Sequence, residues 1–300
     1  MKGSYSLSAL CGLFGYSRQA YYQYKPDTFS GSQREALLYQ TVVTYRAQAP
    51  RIGAYKLYLI CQSIFNRDNL MGRDAFFSFL RRKGLMLKPA KGKRTTNSNH
   101  LFRKYKNLIK GFSPTASSQL WVSDITYISS CEGFCYLHLV TDAYSHKIIG
   151  WVLAPTLEVR YTLEALQMAI DQTGKEDLNG LIHHSDRGIQ YCCPQYVNKL
   201  KEHGISISMT EDYNPTDNAI AERVNGILKQ EWLYQMDIPK DRDQAEMLIG
   251  DIIDFYNNKR PHASNDMQTP QAVHQKQGVM KKRWKKENVP KNGQNKIKTM

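Results

Sequence analysis

The chain has 300 residues, enough for about two domains of ordinary size, and carries a formal net charge of +14. It has no run of eighteen apolar residues, and its first thirty residues lack the order of a signal peptide. Its six scattered cysteines include no Cys-x-x-Cys pair. These features exclude a membrane-spanning helix, a secreted disulfide scaffold and zinc-finger spacing, and they predict a soluble cytoplasmic protein with reduced, mostly buried thiols.

The charge is distributed unevenly along the chain. Residues 1–118 carry +16, residues 119–276 carry −9, and residues 277–300 carry +7. Two basic arms around an acidic body indicate that the arms bind a polyanion, for which nucleic acid is the natural candidate. The acidic body then concentrates carboxylates for another purpose. The basic tail over residues 277–300 is expected to be disordered rather than an ordered DNA contact.

The first predicted elements are two short helices in SLSALCGLFGYSRQAYYQYKP. The leucines share one helical stripe, Gly15 can take the positive φ that ends a helix, and Ser17 can cap the next one. Two helices joined by such a turn predict a helix-turn-helix-like segment over residues 1–43. Its second helix offers Arg18 and Gln19 for contact with DNA.

A second helical DNA-binding region is predicted over residues 44–90. YKLYLICQSIF and GRDAFFSFLRRKG favour helices, the latter ending with basic residues and Gly84. A basic linker follows over residues 91–115, and no acidic residue occurs between Asp74 and Asp124. We expect DNA contacts from the basic residues of this stretch: Arg81, Arg82, Lys83, Lys91, Lys93 and Arg94.

From residue 116 the pattern changes to strands. LWVSDITYIS, FCYLHLVTDA and KIIGWVLA are β-rich runs separated by short turns, which predicts successive antiparallel hairpins. RYTLEALQMAIDQ is then an amphipathic helix. PQYVNKLKEHG is a helix between the apolar strands GLIHHSD and GISISMT, which predicts a parallel crossover.

This order of elements predicts an α/β fold with a ribonuclease-H-like catalytic core over residues 116–236. The core is expected to hold a mixed five-stranded sheet with flanking helices, preceded by the all-helical DNA-binding region. A helical C-terminal extension is predicted over residues 237–276.

Three acidic residues occupy positions where chemistry is expected. Asp124 lies inside the first strand, where a charge is costly unless it is paired or metal-bound. Asp186 follows the fourth strand, and strand ends are where sites form in α/β sheets. Glu222 lies on the helix in TDNAIAERVNGILKQEWL, on a polar face predicted also to carry Asn218, Asn225 and Lys229.

Taken alone, Asp186 reads more readily as a turn residue and Glu222 as a solvated helix position. Their joint placement changes this interpretation, because the first strand is predicted to be central, with the fourth strand and the last helix at its side. Three converging carboxylates repel one another unless a cation neutralises them. Oxygen-only ligands favour Mg²⁺ or Mn²⁺ over zinc.

Several segments resemble the DDE transposases and integrases with a retroviral-integrase core, in particular the second-frame protein (OrfB) of the "IS three" (IS3) family of insertion sequences. The matching segments are WVSDITY, LVTDAYSHKIIGW, HHSDRGIQY, NPTDNAIAERVNGILKQE and YNNKRPHASNDMQTPQAV. Asp186 and Glu222 have 35 residues between them, the spacing this group is known for. The resemblance covers nearly the whole chain.

The resemblance implies a transposase that binds terminal inverted repeats and catalyses DNA 3′-end cleavage and strand transfer. The chemistry would be in-line phosphoryl transfer with two Mg²⁺ ions, which Mn²⁺ can replace. Asp124, Asp186 and Glu222 are the implied catalytic residues and metal ligands, and Lys229 the basic residue associated with DNA ends. Four further residues are candidates for positioning the strand, with structural roles equally open: Asn218, Asn225, Arg187 and His184.

The resemblance also bears on partners and location. Terminal-repeat DNA and target DNA are the implied partners, and bringing two ends together implies a homo-oligomer on DNA. Family members usually also use a first-frame protein with a leucine zipper. This chain shows no zipper heptads, so such a partner is a further candidate. The implied location is the bacterial cytoplasm, in association with the nucleoid.

Three other classes of protein stay open at this point. A tyrosine recombinase would use a nucleophilic tyrosine, for which Tyr256 near Arg260 and His262 is a candidate. A DNA-binding regulator without enzymatic activity would bind ends without cutting them. A ribonuclease H would ignore DNA-end sequence and cut RNA in a hybrid.

Overall fold

The computed structural model describes residues 6–23, 31–65, 70–87, 102–175, 177–211 and 218–279. The candidate DNA contacts Lys91, Lys93 and Arg94 lie outside the described residues, as do residues 280–300 of the predicted tail. The chain divides into two compact units between Thr44 and Tyr45. In the part of the chain that the structure describes, no helix has the length and apolar character needed to cross a membrane.

The first unit begins with two short helices, α1 (Leu7–Leu13) and α2 (Arg18–Gln23). The Ser6 hydroxyl accepts a hydrogen bond from the Ala9 amide at 3.2 Å and so caps α1. Gly15 ends the turn with φ +72°, as its position in the sequence predicts. A longer helix, α3 (Gly31–Gln48), follows.

Two further helices precede the sheet, α4 (Ala54–Ile64) and α5 (Arg73–Arg82). Phe76, Phe79 and Leu80 are buried, and their spacing of three and four residues places them on one side of α5. The Tyr58 and Phe76 rings lie 5.5 Å apart, which joins the two helices. Gly84 adopts φ +70° just after α5, so the predicted helix stop is confirmed.

Five strands form one mixed sheet in the order β3-β2-β1-β4-β5. Their bounds are Leu120–Ser130 for β1, Gly133–Asp142 for β2, Ile148–Ala154 for β3, Ile182–Ser185 for β4 and Ser206–Met209 for β5. The β1–β2 and β2–β3 pairs are antiparallel, whereas β4 runs parallel to both β1 and β5. The predicted ribonuclease-H-like arrangement, with the first strand central and the fourth beside it, is confirmed.

The remaining elements flank this sheet. They are α6 (Val159–Thr173), α7 (Ile189–Cys192), α8 (Pro194–Glu202), α9 (Ala219–Leu228), a π-helical turn (Lys229–Leu233), α10 (Arg242–Asn258), a 3₁₀ turn (Ala263–Asn265) and α11 (Pro270–His274). Helix α6 lies so close to β3 that a Cβ on Gly150 would come within 2.1 Å of the Ala165 carbonyl oxygen. This contact requires glycine at position 150.

The C-terminal helices continue the fold past the sheet edge. The Asn257 side chain of α10 accepts from the Ile148 amide at 3.0 Å and donates to the Ile148 carbonyl at 2.9 Å. These two bonds satisfy backbone groups on the outer edge of β3.

Residues 102–115, predicted as the end of a linker, lie along the opposite edge strand. The Met209 amide donates to the Lys106 carbonyl, and the Leu108 amide donates to the Ser208 hydroxyl at 2.8 Å. Tyr105 packs against the core of the sheet. The basic composition of this segment therefore does not prevent it from joining the folded core, because backbone hydrogen bonds and the apolar side chains of Tyr105 and Ile109 attach it.

All six cysteines are free thiols. Five are buried and only Cys131, in the turn between β1 and β2, is exposed. The prediction that most of the thiols are buried is confirmed.

Candidate active site

Asp124 occupies the middle of the sheet, on the central strand β1, and is only partly exposed. Its Oδ1 accepts a hydrogen bond from the Ile125 amide at 2.9 Å, and its Oδ2 accepts one from the Asn225 side chain at 2.7 Å. On the same face of the strand, Val122 and Ile128 are buried. The strand therefore holds a carboxylate at the border between an apolar core and the molecular surface.

Asp186 lies directly after β4, which runs parallel to β1 with Val122 opposite His184. Continuing this register by two residues brings Asp186 level with Asp124, on adjacent strands that are about 4.8 Å apart. The Asp186 Oδ1 accepts a hydrogen bond from the Gly188 amide at 2.9 Å. The turn residue predicted from the sequence and the carboxylate beside Asp124 are thus the same side chain.

The proximity of the two aspartates affects the pKa of Asp124. Burial first, and then the charge of the neighbouring Asp186, together raise the pKa of its carboxyl to about 7. The hydrogen bonds from Ile125 and Asn225 oppose this rise, and the charge of Glu222 adds to it least. A positive charge bound beside this carboxylate would lower its pKa and favour its ionised form.

Glu222 lies in the first turn of α9 and is exposed. Its charge acts on Asp124, but less than that of Asp186 does. Within the described residues, no three carboxylate, histidine or cysteine side chains lie close enough together to hold a metal ion. The structure therefore brings the two aspartates together, while the approach of Glu222 to them stays a prediction.

Helix α9 is attached to β1 by two asparagines. The Asn218 amide donates to the Ser123 carbonyl at 3.1 Å, and the Asn225 amide donates to Asp124. Both side chains are buried, whereas Glu222 is exposed. The sequence predicts one shared polar face for these residues, but two of them point towards β1 because their amides satisfy polar groups there.

Lys229 begins the π-helical turn that follows α9. Burial lowers the pKa of its ammonium, and the charge of Asp124 opposes that change. The Lys229 amide donates to the carbonyl of Asn225, whose side chain is bonded to Asp124, so the lysine follows that contact by one helical turn.

The two histidines of GLIHHSD are fully inside the protein. His183 Nε2 shares hydrogen bonds with the Ser123 hydroxyl at 2.7 Å and the Tyr196 hydroxyl at 2.9 Å. His184 Nδ1 shares one with the Ser208 hydroxyl at 2.8 Å. These contacts give His184 a place in the core, where DNA does not reach it. Arg187, partly exposed beside Asp186, lies nearer the surface.

The other predicted DNA contacts within the described residues are at the surface. Arg18 and Gln19 are exposed on α2, and Arg81, Arg82 and Lys83 are exposed at the end of α5. A groove of about 550 Å³ runs beside α4 and α5; it is lined by Tyr55, Arg73, Asp74, Phe77, Ser78 and Arg81. Arginine side chains suit phosphate groups and aromatic side chains suit the stacking of bases, and Arg73 is paired with Asp74 in this groove.

The tyrosine-recombinase alternative is not supported by the surroundings of its candidate nucleophile. Tyr256 is fully buried, and burial raises the pKa of its hydroxyl above the ordinary value. Arg260 forms a two-bonded ion pair with Glu231, and His262 is buried against His146. These residues belong to the core rather than to an accessible site.

Sequence reasoning does not single out Glu231, Lys56 or the pairing of Arg260 with them. Their ion pairs join segments that are up to 175 residues apart. The sequence feature that points to this group of ion pairs is the YNNKRPH segment, which contributes Arg260.

Comparison with known protein families gives two matches along the chain. Residues 114–215 and residues 203–270 each match a model described as an integrase core domain. The matched ranges cover the sheet, both aspartates, α9 and α10.

Individual proteins are similar over larger or smaller parts of the chain. A 31 kDa protein of insertion element IS600 from Shigella sonnei is 33% identical over 273 residues, covering 89% of this chain and 98% of that protein. The transposase InsF of insertion sequence IS3A from Escherichia coli K12 is 34% identical over 157 residues, covering 52% and 54%. Among solved structures, the HTLV-2 integrase catalytic core in complex with magnesium is 18% identical, with a TM-score of 0.43, covering 54% and 99%.

The sheet order, the matched integrase core and the near full-length similarity to an insertion-element protein lead to one assignment. The chain belongs to the IS3 family of insertion-sequence transposases, DDE polynucleotidyl transferases that act in DNA transposition.

Proposed function

We propose that this transposase binds the terminal inverted repeats of its element and catalyses Mg²⁺-dependent 3′-end cleavage and strand transfer through Asp124, Asp186 and Glu222. The observation that supports this best is the register of the adjacent parallel strands β1 and β4, which brings Asp186 level with Asp124. Two carboxylates held together at a strand end gain most from a divalent cation.

The donor set fits magnesium. Asp124 and Asp186 offer only carboxylate oxygens, the ligand type that Mg²⁺ and Mn²⁺ prefer. Glu222, exposed in the first turn of α9, is a third oxygen donor on an element attached to Asp124 through Asn225. When bound, two Mg²⁺ ions would supply charge stabilisation for an in-line displacement at phosphorus.

The chain's own residues hold the reacting groups in place. Asn225 fixes the orientation of the Asp124 carboxylate through its 2.7 Å hydrogen bond. Lys229 pairs with a phosphate near the DNA end, and Arg187 helps to position the strand, while the buried Asn218 holds the start of α9 on β1. In cleavage, an oxygen of water forms a bond to phosphorus as the bond to the 3′ oxygen breaks. In joining, that 3′ hydroxyl displaces another 3′ oxygen from the target.

Different parts of the chain carry out DNA binding and catalysis. The helix-turn-helix-like segment over residues 1–43 binds DNA through Arg18 and Gln19. The region over residues 44–90 adds the exposed end of α5 and the groove beside it. Residues 91–115 connect it to the catalytic core over residues 116–236, residues 237–276 extend the core, and residues 277–300 form a basic tail.

Assembly on DNA is part of the proposal. Since two ends must be joined to one target, at least two copies act together, and a first-frame protein is a further partner. This role places the protein in the bacterial cytoplasm, associated with the nucleoid.

The test is a Mg²⁺-dependent cleavage and joining assay on DNA that carries the inverted repeats flanking its own gene. Asp186→Asn should abolish both reactions and leave end binding largely intact. Asp251→Asn, which removes an exposed carboxylate on α10, is the matched control and should keep wild-type activity.

Normal joining by Asp186→Asn would reject the catalytic assignment. End binding by the wild type without any cleavage would instead favour a regulator that does not cut. Cleavage confined to RNA in a hybrid would favour a ribonuclease H.

A further inference from the structure

The π-helical turn Lys229–Leu233 continues directly from α9. π-helical turns are rare and are frequently found at functional sites, because the extra residue changes the direction of the side chains around it. Lys229, at its start, donates its amide to the Asn225 carbonyl, and the Asn225 side chain is bonded to Asp124, so Lys229 lies one helical turn beyond that contact. Glu231, two residues further on, contacts a different part of the protein.

The Glu231 side chain forms three charged hydrogen bonds. Arg260 donates to both carboxylate oxygens, at 2.8 and 2.7 Å, and Lys56 donates to Oε1 at 3.1 Å. The Glu231 carbonyl also accepts from the Arg51 amide at 3.1 Å. A bidentate pair of this kind fixes distance and direction together.

Glu231 stays ionised in this environment. Burial alone raises the pKa of its carboxyl, but the hydrogen bonds and charges of Arg260 and Lys56 outweigh burial and lower it. Arg260 is only 2% exposed, so the pair is shielded from water and from salt. The Glu231 side chain is therefore held in place by charges removed from water rather than by a surface ion pair.

The partners of Glu231 come from distant parts of the chain. Lys56 is on α4, Arg51 lies just before it, and Arg260 follows α10. The neighbouring Trp232 is fully buried and donates from Nε1 to the Gln48 carbonyl at 2.7 Å. The π-helical turn is thus held by the helical region before the sheet and by the C-terminal extension.

Helix α9 is fixed on its other side by the bonds from Asn218 and Asn225 to β1. Lys229 lies between these two sets of contacts, at the junction of α9 with the turn. Loss of the Glu231 contacts would leave the turn attached mainly through α9 and Trp232, so the position of the Lys229 ammonium would be less well defined.

We propose that Glu231 is a positioning residue for DNA-end binding: by bridging Arg260 and Lys56 it fixes the turn that begins with Lys229, one helical turn beyond the contact of Asn225 with Asp124. This inference rests on the proposed contact of Lys229 with the DNA end.

The test is a double-mutant cycle of DNA-end affinity, measured by fluorescence anisotropy with Glu231→Gln, Lys229→Gln and the double variant. We expect Glu231→Gln to weaken end binding about fivefold to tenfold in the wild-type background. In the Lys229→Gln background the further loss should be less than about twofold, because the residue through which Glu231 acts is already absent. Cleavage at saturating DNA should change little.

The direction of the change in DNA affinity distinguishes a positioning role of Glu231 from a long-range electrostatic effect. Glu231→Gln makes the protein more positive, which on its own strengthens DNA binding. Glu246→Gln, which removes an exposed carboxylate on α10, is the matched control and should bind DNA at least as tightly as the wild type.

Equal losses in both backgrounds would overturn the inference, and so would unchanged binding by Glu231→Gln. Neither result would affect the catalytic assignment, which depends on the Asp186→Asn assay. If Glu231→Gln does not fold, the same cycle is run with Lys56→Met, which keeps the pair between Glu231 and Arg260. That variant should show a weaker loss of the same non-additive kind, and additive losses there would equally overturn the inference.

Discussion

Asp124 and Glu231 are both carboxylates largely removed from water, yet their surroundings shift their pKa values in opposite directions. For Asp124, burial and the charge of Asp186 raise the pKa to about 7. For Glu231, burial also favours a higher pKa, but Arg260 and Lys56 outweigh it and the pKa is lowered. Asp124 is bonded to α9 through Asn225, and Glu231 belongs to the turn that follows α9.

This difference separates a site built for a ligand from one built for structure. The Glu231 carboxylate is paired with cationic side chains of the protein itself, and breaking such a pair costs stability. Those at Asp124 and Asp186 repel, so the folded protein carries a cost that a bound cation would remove. Substitutions at the two sites should therefore change different properties.

The largest expected effect is on catalysis. Asp124→Asn should reduce strand joining by about a thousandfold or more, because the amide cannot hold a divalent cation as the carboxylate does. Single-turnover joining of a pre-cleaved terminal repeat in Mg²⁺ measures this directly. Retention of a tenth of wild-type activity or more would contradict the proposed role.

The second experiment breaks the ion pair of Glu231 and measures stability instead of catalysis. Arg260→Ala should lower the free energy of unfolding by about 3–5 kcal/mol, since it leaves the Glu231 carboxylate buried without its main partner. Urea denaturation at neutral pH measures the change, and Asp124→Asn serves as the comparison that should not be destabilised. A loss below about 1 kcal/mol would show that water replaces the pair at little cost.

The raised pKa of Asp124 also predicts how the free energy of unfolding changes with pH. The pKa of Asp124 is raised from 3.8 to about 7 in the folded state, so ionising this carboxyl disfavours folding. This destabilisation is absent at low pH and grows as the pH rises between these two values. In metal-free buffer, wild-type stability should fall relative to Asp124→Asn by about 1.4 kcal/mol per pH unit across this window. Parallel stability curves for the two proteins would contradict the raised pKa.

The smallest effect is stabilisation by the cation itself. At a Mg²⁺ concentration ten times its Kd, the free energy of unfolding of the wild type should rise by about 1.4 kcal/mol. The rise should be absent in Asp186→Asn and retained in Glu231→Gln. Equal stabilisation of all three proteins would place the bound cation elsewhere.

Much of the fold is predictable because it follows local patterns. Alternating apolar residues mark the long strands, and the helical crossover between β4 and β5 favours a parallel pairing of those two strands. Asp186 lies beside Asp124 because β4 also pairs with β1, as the predicted strand order requires. The carboxylate spacing adds Glu222. These inferences need only strand order and the direction of each strand.

The remaining features depend on contacts between distant residues. Asn225 and Glu222 share one helix face by spacing, yet Asn225 is buried because its amide reaches Asp124, 101 residues away. Lys56 and Glu231 are 175 residues apart, and neither is unusual in its own segment. The π-helical turn is likewise held by tertiary contacts, which helical periodicity does not reveal.

The exposed thiol of Cys131 makes the protein convenient to label. Because the other five cysteines are buried, a maleimide probe applied to the folded protein should attach at this single position, in the turn after β1. Seven residues of extended chain separate it from Asp124, about 23 Å along the strand. A spin label or fluorophore there would leave the carboxylates untouched and report, by the distance between two labels, how two copies are arranged when they hold a pair of DNA ends.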